Sequence, residues 1–323
     1  MTQYITERQA ADLLKKADNI LLLAHQYPDG DTLGSSYALC LALRSMGKRV
    51  RVLCGDPIPE RYDYMTADVD MPDFEPEFIC AVDVADPALL GPQLQVAYGD
   101  RVDLCIDHHS TNVGYATHSL VDGGCAAAGM LILRLLHMWG MDMTPTIATC
   151  IYTAIATDTG CFKYSNSNAE THRMAAECMD MGIPYEMINR VNFDMKSRSR
   201  IELERMALEQ MEFHHQGRVA IMPITNQMIQ DSDASENDME GLTPIPRQIE
   251  GVWVGITLRQ KADGNYKVSV RTGTHANASD VCVLLGGGGH NRAAGCTVGG
   301  TLDEAKAAVL AATEQAIPRI ITG

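Results

Sequence analysis

The chain has 323 residues, 46% of them hydrophobic and 21% charged, which suffices for about two domains with packed cores and excludes a disulfide miniprotein, a collagen-like chain or a disordered one. With 26 Lys and Arg against 41 Asp and Glu the formal net charge is −15, which argues against tight binding to long nucleic acid, because such binding runs on phosphate neutralisation by basic side chains. The ten cysteines form no CxxC pair, and no apolar stretch reaches the ~18 residues of a membrane span, Arg134 interrupting the best one, so a cytoplasmic protein with reduced thiols and no membrane partner is expected.

In chain order, a charged N-terminal helix starts with Thr6 and Gln9 spaced as a capping box and does not read as a signal peptide. The run 19–25 reads as a buried strand, 30–47 as a helix ending at Gly47, and 49–54, 78–84 and 102–107 as further strands. Helices are expected over 125–139, 145–158, 169–182 and 197–214. That alternation predicts an α/β fold on a parallel sheet. From Gly217 the pattern becomes strand-rich, with runs at 218–224, 251–260 and 266–272, and a turn over KADGN between the last two. The acidic, Ser-rich stretch 230–241 reads as a solvated surface loop. A domain boundary is expected near 190–215.

The chemistry gathers where apolar elements stop. His25, Asp29 and Asp31 follow the first buried strand in HQYPDGDTLG, Asp83 closes FICAVD, Asp107, His108 and His109 close VDLCIDHH, and Asp158 closes a helix. A turn with a helix-capping Asp explains the first of these alone, but not four such coincidences. Carboxylates with imidazoles and no cysteine suit Mn²⁺, Mg²⁺ or a similar cation, and the number of ligands implies two ions. Two ions about 3.5–4 Å apart activate a water toward phosphorus, so phosphoester or phosphoanhydride hydrolysis is the expected reaction.

In this order, HQYPDGDTLGS, AVDVAD, IDHHSTN and TDTGCFKYSN resemble the four signature motifs of the DHH phosphoesterase superfamily, and KVSVRT with LGGGGHNRAAGC is similar to its DHH-associated domain. Within the superfamily the resemblance is to the oligoribonuclease and pAp-phosphatase (nanoRNase) group. It implies an α/β parallel-sheet catalytic domain over 1–192, a helical linker over 193–216 and a smaller α/β substrate domain over 217–323, with a cleft between the domains. It further implies that His25 and Asp29 bind a first metal, Asp31, His108 and Asp158 a second, and that Asp83 bridges them. His109 then faces the substrate phosphate and Asp107 orients His108. Two divalent ions are implied, Mn²⁺ first, with Mg²⁺ or Co²⁺ as substitutes, and so is a homodimer. Two places depart from the family pattern: Asn291-Arg292 follows the glycine-motif histidine, and Gly123-Gly124-Cys125 replaces a hydroxyl-rich stretch.

The glycine run has a physical reading of its own. Gly287, Gly288 and Gly289 let backbone N–H groups approach an anion, with His290 and Arg292 as charge-assisted donors and Arg271 on the preceding strand converging on the same phosphate. Basic residues at Arg259, Lys261 and Lys267 extend that cluster. The function expected is hydrolysis of short oligonucleotides of about two to five units, or of pAp, to nucleoside monophosphates, since the −15 charge and 6% aromatics suit no polymer-tracking groove. The rival readings are a linear or cyclic dinucleotide phosphodiesterase, an exopolyphosphatase or pyrophosphatase, and a nucleotide-binding sensor.

Overall fold

A computed structural model describes residues 2–239 and 241–322. The chain forms two compact units that divide between Met195 and Lys196. In the first, strands β1 (Gln3–Tyr4), β2 (Ile20–Ala24), β3 (Val50–Cys54), β4 (Phe78–Val82), β5 (Leu104–Asp107) and β6 (His118–Val121) form one sheet in the order β1-β6-β5-β4-β2-β3. All its pairings are parallel.

The strand sequences explain this arrangement. Every residue of β2 is buried, as a parallel strand covered on both faces requires. Alternate side chains feed two cores: Ile20, Leu22, Cys80 and Val82 join one, Leu21, Leu23, Ile79 and Ala81 the other. The longer helices are α1 (Glu7–Lys16), α2 (Gly30–Ser45), α3 (Ala128–Trp139), α4 (Pro145–Asp158) and α5 (Ala169–Asp180). Thr6 and Gln9 close the expected capping box on α1. Arg134, the charge inside the apolar run of α3, binds Glu7 at 3.0 Å, Asp122 at 3.0 Å and Glu170 at 2.8 Å, so it ties α1 and α5 to α3. No helix among the described residues is long and apolar enough to cross a membrane.

Where β3 lies on one side of β2 and β4 on the other, the strand order reverses. The connections leaving the carboxyl ends of β2 and β4 part to opposite sides there, the place where open α/β sheets accept ligands. Strands β1 and β6 escape a sequence reading because they span two and four residues without an apolar run. Helix α3 starts three residues later than expected, since Ala127 is still extended at φ −157° and ψ 152°.

The second unit holds β7 (Glu212–His214), β8 (Val219–Ile224), β9 (Val254–Gln260), β10 (Tyr266–Thr272), β11 (Gly288–His290) and β12 (Ala293–Val298), in the order β11-β12-β10-β9-β8-β7. Only β8 and β9 pair in parallel among these. Its helices include α6 (Arg198–Glu209), α7 (Asn226–Asp231), α8 (Ala278–Val283) and α9 (Leu302–Ala316). Val254, Ile256, Val268 and Val270 share a core with Val281 of α8 and Val309 of α9. Met222 and Ile224 share another with Leu203 and Ala207 of α6.

Two expectations need correction. The helix expected over 197–214 ends at Glu209 as α6, and Glu212–His214 are strand β7; within the stretch expected as a helical linker, Leu203 and Ala207 pack with Met222 and Ile224 of β8. The stretch 230–241 is not wholly a solvated loop: it begins in α7, Ser232 is buried, and 236–239 make a 3-10 turn. Glu240 lies outside the described residues.

Helices α2 and α4 touch at Gly34, where a Cβ would overlap the backbone carbonyl oxygen of Cys150. Backbone on both sides cannot yield as a side chain would. Gly34→Ala should therefore destabilise the protein by about 1–3 kcal/mol, the usual cost of overpacking, read as a lower urea midpoint with an unchanged slope.

Candidate active site

Each candidate ligand is delivered by the end of a regular element. His25 follows β2, Asp83 follows β4, Asp107 ends β5 with His108 and His109 after it, and Asp158 ends α4. Asp29 caps α2, its Oδ1 accepting from the N–H groups of Asp31 and Thr32. Thr32 fastens the frame: its hydroxyl donates to the Val82 carbonyl at 3.1 Å and accepts from the His25 N–H at 3.3 Å, joining the ends of β2 and β4. Asp83 itself has φ +61°, a left-handed conformation that costs a non-glycine residue about 1–3 kcal/mol and concentrates at functional sites.

Both imidazoles present a lone pair to carboxylates. Nδ1 of His25 is 2.7 Å from the Gln26 carbonyl oxygen and Nδ1 of His108 is 3.3 Å from that of Cys125. A carbonyl only accepts, so each Nδ1 carries the proton and each Nε2 is left as a donor to a metal. Nε2 of His25 lies 3.6 Å from Asp29 Oδ1 and 3.7 Å from Asp83 Oδ2. Nε2 of His108 lies 3.5 Å from Asp83 Oδ1, 3.6 Å from Asp31 Oδ2 and 3.5 Å from Asp158 Oδ2. The two oxygens of Asp83 thus face different clusters. His25, Asp29 and Asp83 form one group whose ligand atoms lie within 4.8 Å of one another, and Asp31, His108 and Asp158 form a second.

Electrostatics favour a cation beside Asp31, Asp83 and Asp158, whereas burial of His25 and Asp29 is outweighed by their contact with each other, which raises the imidazole and lowers the carboxyl. Burial pushes the Asp31 carboxyl up to about 7, with the Asp158 and Asp29 charges adding to it against His108. Burial likewise lifts Asp158 to about 6, helped by Asp29, and drives Asp83 well above the carboxylate range, helped by Asp31 and Asp29. Asp83 Oδ1 and His108 Nε2 are buried with no hydrogen-bond partner among the described residues. Buried acceptors facing one another without a proton between them are costly, and a divalent cation removes the cost. The donor set fits such an ion.

Asp31 has a structural duty as well. Its Oδ1 accepts from Ser35 Oγ at 2.8 Å and from the Gly129 N–H at 3.0 Å, while Oδ2 accepts from the Ala128 N–H at 2.7 Å. It therefore fastens the start of α3 to α2, where the helix dipole favours an anion.

Asp107 does not orient His108, contrary to what the resemblance implied. Its Oδ1 accepts from His109 Nδ1 at 2.8 Å and from the His109 N–H at 3.1 Å, and its Oδ2 accepts from Asn112 Nδ2 at 2.6 Å. The neighbouring backbone carbonyl of Cys125 orients His108 instead. Burial would raise the Asp107 carboxyl, but the hydrogen bonds from His109 and Asn112 outweigh it and hold it low. That carboxylate raises the His109 imidazole against the opposing effect of burial, and the His109 side chain is 45% exposed.

Asn112, Ser35, Thr32 and Asn166 were missed as site residues. All four lie inside quoted motifs, Thr32 and Ser35 in HQYPDGDTLGS, Asn112 in IDHHSTN and Asn166 in TDTGCFKYSN, and that is the signal the sequence offers for them. Asn166 Nδ2 donates to the carbonyls of Asp158 at 3.1 Å and Ala126 at 3.2 Å.

In the second unit the glycine run is not a loose cradle. Gly288, Gly289 and His290 pair with Gly295, Ala294 and Ala293 as a hairpin. A Cβ on Gly287 would overlap Cys296, and one on Gly289, at φ +144°, would overlap Ala294, so close strand packing already requires glycine there. Arg292 spends its guanidinium on the loop before α8, donating to the carbonyls of Gly273 and Ala276. Arg271, half-buried, donates to the Val270 carbonyl at 3.1 Å, and burial depresses its pKa. His290 is exposed at the hairpin end.

Residues 19–155 match the DHH family, N-terminal domain, and residues 217–318 match the DHHA1 domain. The chain is 32% identical over 321 residues to the bifunctional oligoribonuclease and PAP phosphatase NrnA of Thermus thermophilus, covering 97% of this chain and 94% of that protein. To the probable bifunctional oligoribonuclease and PAP phosphatase NrnA of Streptococcus mutans it is 24% identical over 284 residues, with 87% and 90% covered. It is similar in fold to the crystal structure of an exopolyphosphatase-related protein from Bacteroides fragilis, with a TM-score of 0.87, 26% identity and 97% of each chain covered. By its two matched domains and its full-length likeness to the Thermus protein, this chain belongs to the DHH family.

Proposed function

We propose that the protein is a metal-dependent phosphoesterase that hydrolyses very short oligonucleotides to nucleoside monophosphates and pAp to AMP. The observation that carries this reading is the placement of Asp83, whose two oxygens each face a separate cluster of carboxylate and imidazole donors. The substrate class rests on the likeness to proteins named oligoribonuclease and PAP phosphatase. In this reading His25, Asp29 and Asp83 hold one ion and Asp31, His108, Asp158 and Asp83 hold the other. Mn²⁺ suits this mixed oxygen and imidazole set, with Mg²⁺ or Co²⁺ as substitutes. Such ions supply Lewis acidity and lower the pKa of a bound water.

The chain's own groups do the rest. Asp107 accepts from Nδ1–H of His109 and thereby favours the doubly protonated ring. Nε2–H is then a charge-assisted donor to a phosphoryl oxygen, and a proton source for the departing alkoxide. Asn112 keeps the Asp107 carboxylate in that orientation. Arg271 binds a phosphate remote from the reacting one. The reading places the enzyme in the cytoplasm, where its scattered cysteines stay reduced, and the family resemblance adds a homodimer.

One panel tests the substrate class: purified protein with Mn²⁺ is offered pAp, a linear dinucleotide, cyclic dinucleotides, polyphosphate, pyrophosphate and a 20-mer RNA. Release of monophosphate from pAp and the dinucleotide is expected. Preferential turnover of a cyclic dinucleotide or of polyphosphate would replace this reading with that one, and binding without turnover would make the protein a sensor.

Asp83→Asn should reduce turnover on the order of 10³-fold or more, and calorimetry with Mn²⁺ should record fewer ions bound. The metal-free variant should unfold at an equal or higher temperature than the parent, since an amide leaves no carboxyl at this buried place to ionise against Asp31 and Asp29 and tolerates φ +61°. For the other two residues the kinetic constants should separate. His109→Ala should mainly lower kcat, whereas Arg271→Ala should mainly raise KM for nucleotides. Steady-state kinetics on pAp distinguishes them, and the converse pattern would exchange their roles.

A further inference from the structure

We propose that Tyr164, in the first unit beside Asp158, is a stacking platform for a nucleobase of the substrate. The inference rests on the oligonucleotide reading above and deepens it: the carboxylate and imidazole clusters serve the phosphate, and Tyr164 serves a base.

Past Asp158 the chain turns in an uncommon way. Gly160, Cys161 and Phe162 have φ of +56°, +56° and +63°, three left-handed residues in succession, and two of them carry a Cβ that this conformation strains. Thr159 holds the turn together. Its hydroxyl accepts from the Phe162 N–H at 3.0 Å, and its carbonyl accepts from the N–H groups of Lys163 and Tyr164, each at 3.0 Å. Asn166 then returns to the Asp158 carbonyl at 3.1 Å. Tyr164 is thereby bonded to the residue next to a candidate ligand, and standard backbone dimensions keep its Cα within about 11 Å of that of Asp158. The Asp158 side chain is itself 31% exposed, so a ligand in solvent can reach both.

Two side chains of this turn find ring partners in the fold. Phe162 stacks on His172 of α5 at 4.9 Å and lies 6.2 Å from the Tyr152 ring, and the Lys163 ammonium stands 5.9 Å from the Phe193 ring. Tyr164 is 62% exposed. A Cβ on Gly160 would stand almost equally near Cζ, Cε1 and Cε2 of the Tyr164 ring, and a point so placed lies over the face of a ring and not at its edge. One face of the phenol is thus laid on glycine backbone, which a larger residue at 160 would push away. No ring is stacked on the opposite face among the described residues. The Phe162 contacts offset part of the strain in the turn, but so exposed a ring as Tyr164 offsets little of it. A ring held by one face with the other open is the geometry on which a base stacks, and every base has a π face to offer.

The test uses the full chain with Mn²⁺ and compares KM for pAp and for ribose 3,5-bisphosphate, which keeps both phosphates and lacks the base. The parent should favour pAp by about tenfold, the scale of one base stacked on an aromatic side chain. Tyr164→Ala should bring that ratio near one by raising KM for pAp alone, with an unchanged melting temperature, and Tyr164→Phe should keep the parent's ratio. In parallel, a dinucleotide carrying 2-aminopurine is titrated with protein, since stacking quenches its fluorescence; the parent should quench it and Tyr164→Ala should not. The platform is overturned if the parent's ratio is near one, if a folded Tyr164→Ala protein keeps the ratio, or if both ligands weaken equally. Absence of hydrolysis of pAp and of every short RNA by the parent would instead refute the enzymatic reading. The fluorescence arm would still decide whether Tyr164 holds a base, because equal signals from the parent and Tyr164→Ala remove the platform and quenching by the parent alone keeps it.

Discussion

The first unit is organised around a repulsion. Asp31, Asp83 and Asp158 converge on one imidazole nitrogen at 3.5–3.6 Å, in surroundings that exclude water from two of the three. Left to itself, such a cluster takes up protons, which is why burial lifts all three carboxyls. Nothing in the local sequence favours this arrangement, and it persists because the scaffold over-determines it. Both cores of the sheet fix the strand ends, Thr32 joins two of them, and the start of α3 grips Asp31 through two backbone N–H groups. The left-handed backbone of Asp83 belongs to the same balance, since strain at one residue is tolerated where the surrounding packing allows no alternative.

A division of labour between charges follows from the geometry. Asp107 is as buried as Asp31, yet its carboxyl is held low while that of Asp31 rises. Asp107 has hydrogen-bond donors on both oxygens, from His109 and Asn112, and it holds the shared His109 Nδ1 at 2.8 Å while Asp83 Oδ1 stands back at 3.4 Å. Neighbouring acids of similar burial are thereby assigned opposite tasks, one set to attract cations and one to hold a histidine, as hydrogen bonding to the charged form dictates.

In the second unit the sheet buries one set of side chains under α8 and α9 and another under α6 and α7, and this asymmetry leaves a stretch of β10 and β12 partly open. The glycines of the hairpin serve close strand packing before anything else, and Arg292 serves its own loop. Arg271 shares its face of β10 with Lys267 and Ser269 and is itself half-buried.

The sequence by itself determined the parallel α/β character of the first unit, because buried strands such as ILLLA are apolar on both faces. It also marked the candidate metal ligands, because His25, Asp83, His108 and Asp158 each stand at the abrupt end of an apolar run. Tertiary structure alone decided which candidate ligands share a cluster, since that depends on the strand order placing β4 beside β2 rather than on distance along the chain. It decided that Asp107 serves His109 and not His108, because a one-residue step at a strand end turns the side chain to a different neighbour. It placed α6 in the second unit, because an amphipathic helix carries no sign of which sheet will cover it. Strands β1 and β6, two and four residues long, exist only by pairing, which no local pattern encodes.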